Sequence, residues 1–159
     1  MLQRIEEILT KVVIGVCAIQ GMVLVALMGV EVFYRYIVGR ALSWPEEVAG
    51  IVFVWFTLLG IAVVMKDDNH ISFDFIIKRL PKMAAKGVAV FSFLIIMAYA
   101  VAMIYAGYAY SKMFSFETTP AANINLIWVN ISVPLSGGLI FLYALLKLLV
   151  VLRPSVEAK

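Results

Sequence analysis

An all-α integral membrane domain with four transmembrane helices is the fold class this sequence predicts, and three observations predict it. Of its 159 residues, 64% are hydrophobic and 14% charged. A soluble domain is about 45–50% apolar even with glycine counted, and about 25% charged. The mean hydropathy of +1.03 agrees, and a water-soluble fold of this length lacks the polar surface to cover such a surplus. The apolar residues also fall into continuous, charge-free runs, not the period-two alternation of a membrane barrel. Together these exclude a soluble enzyme, a disordered tail and a nucleic-acid module.

The runs are Val12 to Val30, Val48 to Met65, Val88 to Tyr110 and Ile127 to Leu146. Each crosses roughly 27–35 Å as a helix, against a hydrocarbon core of about 30 Å. They predict spans over 12–34, 48–65, 88–110 and 127–146 within one four-helix domain, 1–159. Ahead of the first span, Leu2, Ile5, Ile8, Leu9 and Val12 recur at three- and four-residue spacing, which predicts an amphipathic interfacial helix over 2–11. Glu6 and Glu7 stand where a cleaved signal peptide is positive, so the first span is read as retained. Phe73, Ile76, Ile77 and Leu80 predict a second interfacial helix over about 72–80, stopped by Pro81. In the third span, Ala98, Ala102 and Ala106 make a small-residue stripe suited to close helix packing, within the bundle or against a partner. In the fourth, Pro134 followed by Ser136, Gly137 and Gly138 predicts a bend.

Sorting the positive residues sets the orientation. With the N-terminus inside, ten lysines and arginines fall in cytoplasmic segments, and Arg35, Arg40 and Lys112 alone fall outside. Both termini are therefore expected in the cytoplasm. The net charge of +3 reflects that sorting and not a nucleic-acid partner. Trp44, Trp128, Tyr34, Tyr36 and Tyr110 then lie near the outer interface, as an aromatic belt does. The single cysteine, Cys17, lies in an apolar run and behaves as a small hydrophobe.

The polar residues offer little chemistry. Glu31 and Arg35 stand four apart at the outer edge of the first span, either as an ion pair or as a proton-coupling site. Their edge position favours the pair, because charge costs less there than at mid-membrane. Gln20, Thr57, Ser92, Asn130, Ser132 and Ser136 are too sparse to line a route for a polar solute. His70 is the only histidine, so bis-histidine haem ligation within the chain is impossible. No catalytic constellation, metal or cofactor is expected.

One stretch carries a resemblance. Phe33-Tyr34-Arg35-Tyr36 is followed by Ser43-Trp44-Pro45-Glu46-Glu47, then by Trp55 and Gly60. After Asp67-Asp68-Asn69 come His70-Ile71-Ser72-Phe73-Asp74 and Arg79-Leu80-Pro81. At these spacings in a four-span chain, residues 31–81 strongly resemble the small transmembrane subunit, of DctQ type, of tripartite ATP-independent periplasmic (TRAP) transporters. Pro45 departs from the residue more often found there, often serine.

The resemblance implies a non-catalytic inner-membrane scaffold without cofactor. It implies two protein partners, a large elevator-type permease subunit and a periplasmic substrate-binding protein, in addition to membrane lipids. It further implies sodium-coupled symport of organic acids, of the C4-dicarboxylate or sialic acid class. On this resemblance Arg35 pairs with Glu46 or Glu47 to fix the first hairpin, and Trp44 anchors that turn. Trp55 belongs to the same interface, and His70 and Asp74 position the cytoplasmic helix. The same two glutamates are alternatively a docking point for the binding protein. A different class of function, a small homo-oligomeric proton-coupled exporter using Glu31, is the competing expectation.

Overall fold

The structure, a computed structural model, describes residues 2–64 and 81–152. Among the described residues the order is α1 (Leu2–Phe33), one π-helical turn (Tyr34–Val38), α2 (Trp44–Val64), α3 (Lys82–Met113), a short α4 (Ile127–Asn130) and α5 (Ser132–Leu152). Four stretches are long and apolar enough to cross a membrane, Glu7–Val38, Trp44–Val64, Met83–Met113 and Ile127–Leu152. They cover the expected spans to within a residue and mostly overrun them. Long helices suit the medium, since each backbone N–H and C=O in hydrocarbon must find its partner inside the element.

Several local expectations resolve differently. The stretch 2–11, expected as a helix of its own, is continuous with the first span in α1. Leu9, Thr10 and Val13 face the other helices, while Ile8 and Val12 point outward. The helix expected over 72–80, with His70 and Asp74, lies outside the described residues. Pro81 stands at the start of α3, where its carbonyl accepts from Ala85 N at 3.0 Å. The interruption of the fourth span falls at Ile131, between α4 and α5, and not at Pro134. Pro134 lies in the first turn of α5, where a missing N–H has no helical acceptor to lose.

The helices stand in an open row. α1 packs on α2, α2 also on α5, and α5 on α3, so the spatial order is α1–α2–α5–α3. Ala62 of α2, Ala100 of α3, and Ile140 and Tyr143 of α5 meet at a buried junction, with Leu9 of α1 against it. Phe93, Ala144 and Leu148 continue the α3–α5 seam. Small residues dominate because lipid is as apolar as leucine. Helices gain from close backbone approach and interhelical hydrogen bonds instead of from excluding water. Two glycines lie where the helices approach closely. A Cβ on Gly107 stands 2.7 Å from Pro134 Cδ, and one on Gly137 stands 3.1 Å from the Ala100 carbonyl oxygen.

A buried hydrogen bond joins the start of the row to its middle, Thr10 Oγ1 to Tyr143 Oη at 3.1 Å. Interhelical bonds of this kind contribute about 0.6 kcal/mol on average in membranes. Thr10→Val and Tyr143→Phe are each expected to lower stability slightly. A double-mutant cycle in detergent should give a coupling of roughly 0.5–1 kcal/mol. Additive effects would mean that the two hydroxyls do not support one another.

Candidate functional site

The loops 39–43 and 114–126 share one end of the row, and the motif-bearing residues collect there. The π-helical turn carries Arg35 out of α1 and ends at Gly39, whose φ of 71° is left-handed. Glycine enters that region without a Cβ penalty. The N–H groups of Gly39 and Arg40 both donate to the Tyr34 carbonyl. Within this unit Arg35 Nη2 pairs with Glu31 Oε1, the acid being buried and the guanidinium half-exposed. The expected pairing of Arg35 with Glu46 or Glu47 is not formed, because its own helix places an acid one turn back, already within reach.

Glu47 does something else. Its carboxylate accepts from Ala121 N at 3.0 Å (Oε1) and 3.1 Å (Oε2), and from Ala122 N at 2.8 Å (Oε2). The Thr119 hydroxyl lies nearby, and its Oγ1 accepts from Ile124 N at 3.1 Å. A carboxylate facing two successive amides makes short, charge-assisted bonds. The loop is shaped to present them. Thr118 and Asn125 form an antiparallel bridge, and Asn123 is left-handed at φ 53°. Thr119 N donates to the Ile124 carbonyl at 2.9 Å, and Leu126 N to the Glu117 carbonyl at 2.9 Å. Asn125 ties the loop to both flanks, donating from Nδ2 to the Ser115 carbonyl at 2.7 Å and accepting from Ile127 N at 2.8 Å.

Eight residues deeper on α2, Trp55 Nε1 donates to the Trp128 carbonyl at 2.8 Å. Glu47 and Trp55 thus fix the 114–126 loop and the helix after it from a single neighbouring element. Trp44 and Glu46 are exposed at the same end, beside a fully buried Pro45 in the first turn of α2. Tyr34, Tyr36, Tyr110 and Trp128 are also exposed. Ala98, Ala102 and Ala106 lie on the outward side of α3, so the stripe is not a packing face within this chain. The inward face runs through Phe93, Ala100 and Gly107. Sequence reasoning missed Gly107, Thr10 and Tyr143, and named Gly137 for a bend and not for packing. Gly107 packs against Val133 and Pro134, and Gly137 against Ala100, Met103 and Ile104; glycine in a span, a residue suited to close helix packing, was the one available signal.

Arg35→Ala is expected to be more damaging than its exposure suggests, because it leaves Glu31 buried without a cation. A loss of about 1–3 kcal/mol is expected. The double variant with Glu31→Gln should recover much of it, as thermal unfolding in detergent will show. A double variant no better than Arg35→Ala would assign the loss to packing.

Comparison with known proteins follows this layout. The family model described as "Tripartite ATP-independent periplasmic transporters, DctQ component" matches residues 24–153. The chain is 24% identical over 137 residues to the sialic acid TRAP transporter small permease protein SiaQ of Vibrio cholerae, covering 86% of this chain and 75% of that protein. It is 25% identical over 117 residues to the sialic acid TRAP transporter permease protein SiaT of Haemophilus influenzae, covering 72% of this chain and 19% of that longer protein.

Proposed function

The chain belongs to the DctQ-component family of TRAP transporters, a membrane transport component and not an enzyme, and from that premise we propose that it is the scaffold of a sodium-coupled organic-acid importer. It is a multi-pass protein of the bacterial inner membrane. In this reading a large elevator-type permease subunit carries substrate and sodium, and this chain holds it in place. The observation that carries the scaffold role is the open row itself. Only 6% of the most apolar window of the first span, and 11% of that of the third, is buried within the chain. Among the described residues, the charged groups of the spans stand toward helix ends, leaving no lined route through the middle. Such faces suit lipid and another protein, and Ala98, Ala102 and Ala106 suit close approach by a partner helix.

The relatives support the assembly and the cargo. A segment similar to this chain accounts for 19% of the longer SiaT permease, which favours a large-subunit partner. Sialic acid, in the names of both relatives, is the first substrate to test, with C4-dicarboxylates next. Both termini are assigned to the cytoplasm by the positive-inside rule. The Glu47-held loop and exposed Trp44 and Glu46 then face the periplasm, where the binding protein docks. Arg35, Glu47 and Trp55 keep that surface in shape, and His70 and Asp74 serve the opposite side.

The test is uptake into proteoliposomes containing the large subunit and this chain, with binding protein outside and a panel of organic acids, with and without a sodium gradient. Sodium-dependent uptake that requires all three proteins is expected. Undiminished uptake without this chain, or uptake by this chain alone, would overturn the reading.

A further inference from the structure

At the loop end of α3, two grooves lie on either side of Tyr108 and share it and Lys112 as walls. One, of about 420 Å³, runs along the outer face of α3 past Tyr105 and Met113. The other, of about 290 Å³, lies between α3 and the fourth span over Ile131 and Pro134, with Ser115 at its rim. Both are predominantly apolar. Lys112 stands in the last turn of α3, and at 1.5 Å per residue Tyr105 lies about 10 Å below it toward the membrane centre. Each groove thus descends from a cation at the membrane boundary into the hydrocarbon.

We propose that this pair of grooves seats one anionic diacyl phospholipid, its phosphate on Lys112 and one acyl chain on either side of Tyr108. The charge argument selects the headgroup. Among the described residues no carboxylate pairs with Lys112, and neither groove is lined by an acid. A phosphate therefore finds its counter-ion, whereas the ammonium of a zwitterionic headgroup finds no acid in the walls of either groove. A neutral glycerol headgroup is accommodated, because Ser115 Oγ already donates to the Lys112 carbonyl at 3.0 Å and keeps acceptor capacity for a lipid hydroxyl. The other cations at this end differ, Arg35 being taken by Glu31 and Arg40 lying in the loop beyond the π-helical turn. The inference rests on membrane placement alone and stands whichever leaflet the loop end occupies.

Native mass spectrometry of the full chain in detergent, titrated with phosphatidylglycerol or phosphatidylethanolamine, tests it. The most tightly held lipid should be a single phosphatidylglycerol. Lys112→Glu should lower its occupancy at least about fivefold, the effect of one lysine at a lipid surface. Ile131→Trp, which fills the second groove while leaving the charge, should lower it as well. Lys86→Glu, at the opposite end of α3, should leave it unchanged. Equal retention of the two lipids, or wild-type retention by both groove variants, overturns the proposal. A photo-crosslinker at position 108 that captures the large permease subunit instead of lipid in the assembled complex overturns it too.

Discussion

Gly107→Leu should separate α3 from α5 and leave little folded protein. Even the first added carbon has no room, standing 2.7 Å from Pro134 Cδ, 2.9 Å from Val133 Cγ1 and 3.0 Å from Pro134 N. Neither a proline ring nor a backbone nitrogen can swing aside as the end of a long side chain does. Gly107→Ala is therefore expected to cost about 1–3 kcal/mol, the usual range for overpacking a tight interior, and leucine more. The Ser111 hydroxyl donates to the Gly107 carbonyl at 2.7 Å, so a shift of this turn also strains a buried hydrogen bond. Gly138→Ala is the control, because nothing lies within 4 Å of its added carbon. Tryptophan-fluorescence melting in detergent reads the difference. Equal melting temperatures for the Gly107→Ala and Gly138→Ala variants would show that the seam yields freely.

Glu47→Ala should release the 114–126 loop while leaving the four spans standing. Three hydrogen bonds from Ala121 and Ala122 end on that one carboxylate, and the loop's own bridge and turns do not replace them. Amide exchange at Ala121 and Ala122 is expected to accelerate on the order of tenfold or more, as for a segment moved toward local opening. Glu47→Gln keeps an acceptor but loses the charge, and should fall between alanine and wild type. If the loop surface serves docking, uptake by the reconstituted complex should fall in the same order while co-purification with the large subunit persists. Unchanged exchange in the alanine variant would show that the loop holds itself.

How far the sequence reached depends on what kind of signal each feature leaves. The spans were legible because the cost of charge in hydrocarbon writes itself into composition. The partner of Glu47 was not, since it lies 74 residues away and consists of backbone amides, which carry no residue signature. The Glu31–Arg35 pair was legible from its i, i+4 spacing, whereas the pairing of Arg35 with Glu46 or Glu47 was implied by the family resemblance alone. Which face of α3 packs within the chain was left open for a related reason. In lipid the inward and outward faces are equally apolar, so periodicity cannot choose between Ala98, Ala102 and Ala106 and the Ala100–Gly107 face. Pro134 marked the right region for the break in the fourth span. The break itself falls at Ile131, where Ser132 Oγ donates back to the Val129 carbonyl at 2.5 Å.

The open row also bears on how much of this protein a cell keeps. Spans of which so little is buried within the chain leave broad faces to be covered from outside, so whatever binds the folded form adds to its stability by mass action. If a large subunit covers it, its lifetime is expected to rise with the abundance of that subunit. Copies made in excess of a covering subunit are then expected to be the first removed by membrane proteases. On the proposed assembly, the same geometry would set the amount of this chain to match that of its partner.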